Sequence, residues 1–573
     1  MKRRRCPTAL GFLAAAGLWS VDTISLADPS PSPKLNWKTV ANNNDPIPDA
    51  GGRTFNSYNQ PSVNLRGTVV IRARSRGGPP SGPATHGIYT RDMARPGGSI
   101  VKILDRNTVV PQPNNLGSLF AETPSFPRID ASSNTIATRG NHQPVWRYSF
   151  TEGSETRAGT TGIYTNPYGA LITGVAKLGA VPDFGFFAEP GSLGMPFDVF
   201  PGSPSVTDRD TVVFKGNSPD GRTGIYFRKL RNEPIPLADA AALAPAGGSS
   251  PVIAIATSRE TLIPGTTTPF GSTAPPSAAG RLVVFAGFDN EEAPTLGGLF
   301  LAPVSPNPRL RSLIAVGVQG TPVVDEMGIP LPGQPRFARI GEAVSFDGRF
   351  VGFWGSWGTE SATKTLQCPT EGNQCRIAYC REDADDTTVN VPRNQGIFVL
   401  DTQARKNGLR LVARTGTESS PFDDFVYWNY SGSPPVEWCA ANGIPTGGEG
   451  EGDSDDGEPP RWRSTSFVSA SAQGLPVRTV FKATTLAGTT GIYLASNPGR
   501  AVITTLLDTS MPGRTLDPEA PEASIISELG LEREGLRGAW LAVSAKMSAT
   551  GTVAVDEADD DMAGVYLARL PGR

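Results

Sequence analysis

Gly87-Ile88-Tyr89 returns as Gly162-Ile163-Tyr164, Gly224-Ile225-Tyr226, Gly298-Leu299-Phe300, Gly396-Ile397-Phe398, Gly491-Ile492-Tyr493 and Gly564-Val565-Tyr566. A glycine followed by an aliphatic and an aromatic residue marks a turn running into a strand. Seven returns at long intervals describe an array of like units. Glycine at 65 and proline at 53 of 573 residues suit short strands joined by many turns. The chain is therefore expected to be all-β. Its length, which would ordinarily suggest about three or four domains, is read instead as repetition.

Three further strands accompany each return, here called A, B and C, with the glycine-led strand as D. Strand C is rich in β-branched and aromatic residues, as in Thr68-Val69-Val70-Ile71, Thr211-Val212-Val213-Phe214, Leu282-Val283-Val284-Phe285 and Phe350-Val351-Gly352-Phe353. Thr479-Val480-Phe481 and Thr552-Val553-Ala554-Val555 are read as the last two copies, and Thr135-Ile136-Ala137-Thr138 as a weak second one. Strand B carries a serine: Ser62, Ser125, Ser205, Ser277, Ser345, Ser469 and Ser544. An aromatic residue often precedes it, at Phe55, Phe120, Phe200, Phe270 and Phe337. Strand A opens each repeat, from Thr39-Val40-Ala41 and Ile100-Val101-Lys102-Ile103-Leu104 to Val502-Ile503-Thr504-Thr505-Leu506.

Seven sets of four antiparallel strands fit a seven-bladed β-propeller of four-stranded blades. The alternative is a string of tandem β-sandwich domains. Those need about seven strands per 100 residues, and the repeat spacings of 75, 62, 74, 98, 95 and 73 residues hold about four each. The first repeat begins with A and the last ends with D, which predicts a ring without an exchanged closing strand. The excess length falls in the A-to-B and C-to-D connections, which emerge on one face. Its longest stretches are insertions at 359–393 and 431–462. Long loops on a rigid scaffold are where binding and catalysis concentrate.

Asn64-Leu65-Arg66-Gly67-Thr68-Val69-Val70-Ile71, followed by Gly-Ile-Tyr and a Leu-x-x-Val-Ala strand, resembles the tandem repeat of exported bacterial proteins described by an Asn-x-x-Gly-x-x-x-Ala-Phe motif. That family is propeller-like and mostly of unknown function. The likeness spans nearly the whole mature chain, with Ser or Ala replacing Asn in later copies. Ser345-Phe346-Asp347-Gly348-Arg349 resembles, in a single copy, the Ser-x-Asp-Gly-Arg turn of TolB-type propellers. Neither resemblance brings a catalytic residue with it.

Lys2-Arg3-Arg4-Arg5, an apolar run from Ala9 to Leu18 and Ser25-Leu26-Ala27 read as a secretory signal peptide over 1–27, cleaved after Ala27. The mature chain, 28–573, is expected to be secreted or periplasmic, monomeric and without a membrane span. Cleavage takes four bases and one acid from totals of 52 and 55, leaving 48 against 54 and a net charge of −6. With no clustered basic face, nucleic acid is excluded as a partner.

Four cysteines remain, Cys368, Cys375, Cys380 and Cys439, and in an oxidising compartment disulfides are the default. Their spacing does not suit zinc, and no metal site is expected from them. If all four are oxidised within one chain, Cys439 pairs with one of the other three, which staples neighbouring insertions.

The same region holds Trp354, Trp357, Trp428, Tyr430, Trp438 and Trp462. Such a group can stack on sugar rings or grip a peptide, and it can equally serve to pack the insertions down. Acidic clusters at Asp289–Glu292, Glu382–Asp386, Glu449–Glu458 and Asp556–Asp561 suit either solvated tips or calcium, although Asp453-Ser454-Asp455-Asp456-Gly457 lacks the register of an EF loop. His86 and His142 are the only histidines, and no Gly-x-Ser-x-Gly or His-Glu-x-x-His occurs, which removes serine hydrolases and zinc proteases from consideration. Two readings remain. One is a secreted binding or scaffold protein recognising carbohydrate or protein through the aromatic insertions. The other is an extracellular carbohydrate-active enzyme with a carboxylate pair at the channel mouth.

Overall fold

The computed structural model describes residues 35–571 except 78–83, 96, 112–117, 143–146, 152–153, 158–160, 178–188, 191–194, 231–249, 292, 366–377, 381–387, 406, 417–419, 432–435, 444–460, 473–476, 497–501 and 550–561. Seven antiparallel sheets form a closed ring, a seven-bladed β-propeller. Residues 1–27, read as a signal peptide, together with Cys368, Cys375, Thr552–Val555 and the acidic clusters after residue 381, lie outside the described residues.

Within a blade the order from the axis outward is B, C, D, A. Blade 1 runs Ser57–Tyr58 with Ser62–Val63, then Thr68–Arg74, His86–Asp92 and Ile100–Asp105. The B strands touch their neighbours in a cycle, from Ser62–Val63 through Arg128–Ile129, Ser205–Thr207, Ser277–Ala279, Ser345–Phe346, Val468–Ser471 and Leu536–Arg537 back to Ser62–Val63. The strand that opens each sequence repeat is thus the outer edge of the preceding blade. Trp37–Asn42 adds to Met562–Arg569 and completes blade 7. The closing strand is therefore exchanged, contrary to the expectation. Chain order alone does not reveal which neighbour an edge strand bonds, and the unpaired edge of the last D strand requires a partner.

Two registers also differ from the sequence reading. In blade 7, Trp540–Ser548 is strand C, so Ser544 lies in C, and the axial strand is Leu536–Arg537. In blade 2 the axial position is Arg128, opposite Ala137, where blades 1 and 3 place Ser62 opposite Val70 and Ser205 opposite Val213.

Alternation within each strand buries both faces, one against each neighbouring blade. Val70 and Ile88 face blade 2, whereas Val69, Ile71 and Tyr89 face blade 7. The glycine-led motif follows the same rule all round: the aliphatic residue packs on the following blade and the aromatic on the preceding one, as with Ile225 and Tyr226. Seven hydrophobic clusters fill the seven interfaces.

In five of the seven copies, Gly162, Gly224, Gly396, Gly491 and Gly564, the aromatic two residues later folds back over the glycine, whereas at Gly87 and Gly298 the backbone of the outer strand leaves no room for a Cβ. A Cβ on Gly224 would lie 2.5 Å from the Tyr226 ring, and one on Gly564 would lie 2.5 Å from the Tyr566 hydroxyl. A phenylalanine then meets that ring edge-on, at 5.0 Å for Phe55 and Tyr89 and 4.8 Å for Phe120 and Tyr164. In blade 3 this partner is Phe197, with the expected Phe200 packed beside it.

Candidate ligand cleft between blades 6 and 7

The C-to-D and A-to-B connections emerge on one face, and the blade 5 and 6 insertions rise from it. Strand C of blade 5, Phe350–Thr365, and strand D, Thr388–Asp401, outgrow the blade and remain paired as far as Thr365 opposite Thr388. Blade 6 adds a hairpin, Val426–Ser431 with Arg461–Ser466, and a short helix, Val436–Ala441. Between these additions and blade 7 lies a cleft of ≈ 270 Å³.

Asp424 anchors the cleft. It ends the strand Phe422–Asp424 and is 4% exposed. One carboxylate oxygen accepts from the Val426 amide at 2.9 Å, and the other accepts from the Trp428 indole Nε1 at 2.7 Å. Lys364, from the blade 5 extension, pairs with Asp423 and stands 3.7 Å from Asp424. Burial nevertheless raises the Asp424 carboxyl above the ordinary carboxylate range, because desolvation outweighs these contacts.

Lys482 and Glu528 also line the cleft. Burial lowers the Lys482 ammonium below its usual value, with Glu528 opposing the shift. Glu528 is itself paired with Lys546 at 3.4 Å. Hydroxyls of Thr365, Thr484, Thr490, Thr509 and Ser527 are interspersed among Phe425, Trp428 and Phe467. The Ser527 hydroxyl is buried and has no partner among the described residues. The lining thus offers several donors and acceptors beside aromatic surface, the composition a polyhydroxylated ring requires.

Of the aromatic residues singled out by sequence, Trp428 lines this cleft, and Trp354 lies with it in the core between blades 5 and 6. Trp354 donates to Gln395 Oε1 at 3.1 Å. Trp357 is buried between blades 4 and 5, edge-on to Phe398 at 6.0 Å. Trp438, on the short helix, meets Tyr379 edge-on at 5.0 Å. Tyr430 and Trp462 are register partners in the hairpin, and their side chains are outside the described residues. Cys380 is buried next to Tyr379, and Cys439 lies next to Trp438 on the helix.

Asp289 spends its carboxylate on the amides of Asn290, Thr295 and Leu296, which shapes a loop. Among the described residues no group of three or more His, Cys, Asp or Glu converges as a metal site, and no helix is long and apolar enough to cross a membrane. Sequence reasoning missed Lys364, Asp423, Asp424, Lys482 and Glu528. They come from three blades, and the only local signal is the acidic pair enclosed in Phe422-Asp423-Asp424-Phe425.

No protein-family model matches the chain, and no curated protein matches it. Among solved structures it is similar to the β-propeller domain of the Trilobed protease from Pyrococcus furiosus, at 8% identity and a TM-score of 0.34, covering 86% of this chain and 90% of that one. It is also similar to an α-L-arabinanase from Penicillium chrysogenum, at 9% identity and a TM-score of 0.28, covering 79% and 98% respectively. A puromycin-hydrolyzing peptidase of Mycobacterium tuberculosis aligns at 12% identity and a TM-score of 0.26, covering 89% of this chain and 61% of that one. Similarity at this level carries no chemistry from those proteins to this one.

Proposed function

We propose that the protein is an exported propeller that binds carbohydrate in the cleft between blades 6 and 7. The observation that carries this reading is the buried Asp424, oriented by the Trp428 indole and set among hydroxyls and two lysines. A sugar ring presents hydroxyls that donate and accept at once, together with apolar C–H faces, and this lining answers both. The basic leader and the even number of cysteines after it support export. Partner proteins on the same face are the competing occupants.

The test is a glycan-array and cell-wall pull-down screen on the mature protein beside Asp424→Asn and Trp428→Phe variants. Saturable binding weakened at least tenfold in Asp424→Asn supports the cleft. Binding that neither variant changes moves recognition elsewhere on the face, and no binding by the folded protein ends the carbohydrate reading.

A second reading draws on the raised Asp424 carboxyl, since a carboxyl that burial makes hold its proton more tightly can serve as a general acid beside an ionised partner. Release of reducing ends from bound glycans, abolished in Asp424→Asn, favours hydrolysis. Binding without release favours recognition alone.

A further inference from the structure

The axis of the ring is filled by charged side chains, most of them from one turn of blade 7. Glu532, Arg533, Glu534 and Arg537 are each at most 3% exposed, and Arg128 of blade 2 is 2% exposed. Arg128 pairs with Glu532, and Arg537 lies 3.4 Å from Glu534. Arg533 reaches across the ring to the carbonyls of Pro275 at 3.2 Å and Ser203 at 3.3 Å, and Arg537 reaches Phe346 O at 2.9 Å. Blade 7 thereby touches blades 2, 3, 4 and 5 through the centre.

Elsewhere the axial strands carry small polar residues that bond the next blade. Ser62 donates to Pro127 O at 3.1 Å, Ser205 accepts from the Ala278 amide at 3.1 Å, and Ser345 accepts from the Ala470 amide at 3.1 Å. Those contacts already join the blades. The charged turn is therefore not needed for that purpose, and burying it is costly.

Two features of the turn remain unbalanced. Three guanidiniums face two carboxylates, which leaves one net positive charge among them. The Arg128 Nε and Nη1 and the Nε of Arg533 and Arg537 make no hydrogen bond among the described residues, and neither do Glu532 Oε2 and Glu534 Oε1. The nearest charged contacts of these atoms are Arg533 Nε to Glu532 Oε1 at 3.8 Å and Arg537 Nη2 to Glu534 Oε1 at 3.4 Å. Buried polar groups are almost always satisfied, and a cluster of exceptions calls for an explanation. Burial, and then the neighbouring Arg128, pull the Arg533 guanidinium down to about 10, so the cations crowd one another.

We propose that the propeller axis is a binding site for a small monovalent inorganic anion of the halide class, held by the free N–H groups of Arg128, Arg533 and Arg537. A halide supplies the missing negative charge and accepts several N–H bonds at once. Ordered water, which alone among simple occupants can donate, serves Glu532 Oε2 and Glu534 Oε1. The remaining guanidinium nitrogens are tied to the carbonyls of Pro275, Ser203 and Phe346 and to the carboxylates of Glu532 and Glu534, which leaves few donors for a larger oxyanion.

Crystals of the mature protein grown in sodium bromide are expected to show an anomalous peak on the axis within hydrogen-bond distance of at least two of the three arginines. In solution, the melting temperature should rise with the logarithm of bromide concentration above a defined onset, relative to gluconate at the same ionic strength. Arg128→Met should abolish that difference. Glu532→Gln, which removes a competing carboxylate, should lower the onset concentration several-fold, an effect that a purely structural role does not produce. The proposal is overturned by an axis without an anomalous peak, by bromide and gluconate series that coincide, or by an onset that Glu532→Gln leaves unchanged. The wild-type crystal decides the matter even where Arg128→Met does not fold.

Discussion

Trp37 of the first described strand lies opposite Ala568 of the last, and the pairing runs on to Asn42 opposite Gly564. The two ends of the chain are thereby one sheet. Asn42 Nδ2 and the Tyr566 hydroxyl both donate to Asp517, at 2.9 and 3.1 Å, which latches the joint. Val40 is fully buried in this strand, between blades 7 and 1. Val40→Asp places an unpaired charge there and is expected to cost at least about 3 kcal/mol of stability. Lys38→Gln, on the exposed side of the same strand, should change stability by less than about 0.5 kcal/mol. Urea unfolding checks both, and a Val40→Asp midpoint equal to wild type would show that the ring does not depend on its closing strand.

The contact between Gly224 and Tyr226 makes a second prediction. A methyl at Gly224 meets the ring at 2.5 Å, and that ring is held by Phe197 and by its hydroxyl bond to Glu189 at 2.7 Å. The ring cannot yield, so Gly224→Ala should cost about 2 to 3 kcal/mol, as overpacked cores do. At Gly265, where the φ is +84° and no atom lies within 4 Å, alanine should cost only about 1 kcal/mol of backbone strain. Equal losses in thermal unfolding would remove the ring contact as the reason for the motif.

His86 and His142 set the response to acid. Burial lowers both to about 4 from an ordinary 6.5, so the folded chain holds them neutral while the unfolded chain takes up protons. Stability is therefore full above about pH 6.5 and falls as the pH drops towards 4. His142, 1% exposed, contributes up to about 3 kcal/mol to that loss. His142→Gln should flatten the decline in melting temperature between pH 6.5 and 4. An unchanged slope would assign acid sensitivity to the carboxylates.

Tyr379 and Trp438 meet edge-on, and each is the chain neighbour of a cysteine. The expected disulfide is Cys380 with Cys439, joining the blade 5 insertion to the blade 6 helix. Peptide mapping of non-reduced protein should recover that linked pair. Recovery of Cys380 linked to Cys368 or Cys375 would contradict it. Reduction should loosen the two insertions ahead of the ring, seen as earlier proteolysis within 431–462.

Blade count and, outside blades 2 and 7, strand identity were legible because each rests on local chemistry. Gly-Ile-Tyr carries its own reason, with glycine beneath the ring in most copies, the aliphatic residue towards one blade and the aromatic towards the other. The serine marker was legible as a residue type, whereas the bonds that Ser62, Ser205 and Ser345 make to the next blade appear only in the tertiary structure. Blade phase was not legible, since Trp37–Asn42 reads like any other A strand until its partner is known. Arg128 and Arg537 were missed because a motif search discards the copies that depart from the repeat, and those departures carry the axial charge.

What the sequence determined by itself is the repeating unit: strands with two buried faces and aromatic residues seated on glycine, properties set within a few residues of chain. The tertiary structure alone decided what happens where blades meet. Ring closure joins residues more than 500 positions apart. The cleft gathers Lys364, Asp424 and Glu528 from three blades, and the axis gathers Arg128 and Arg533 from opposite ends of the chain. Burial and charge pairing at those sites depend on distances in space, which neither periodicity nor spacing along the chain encodes.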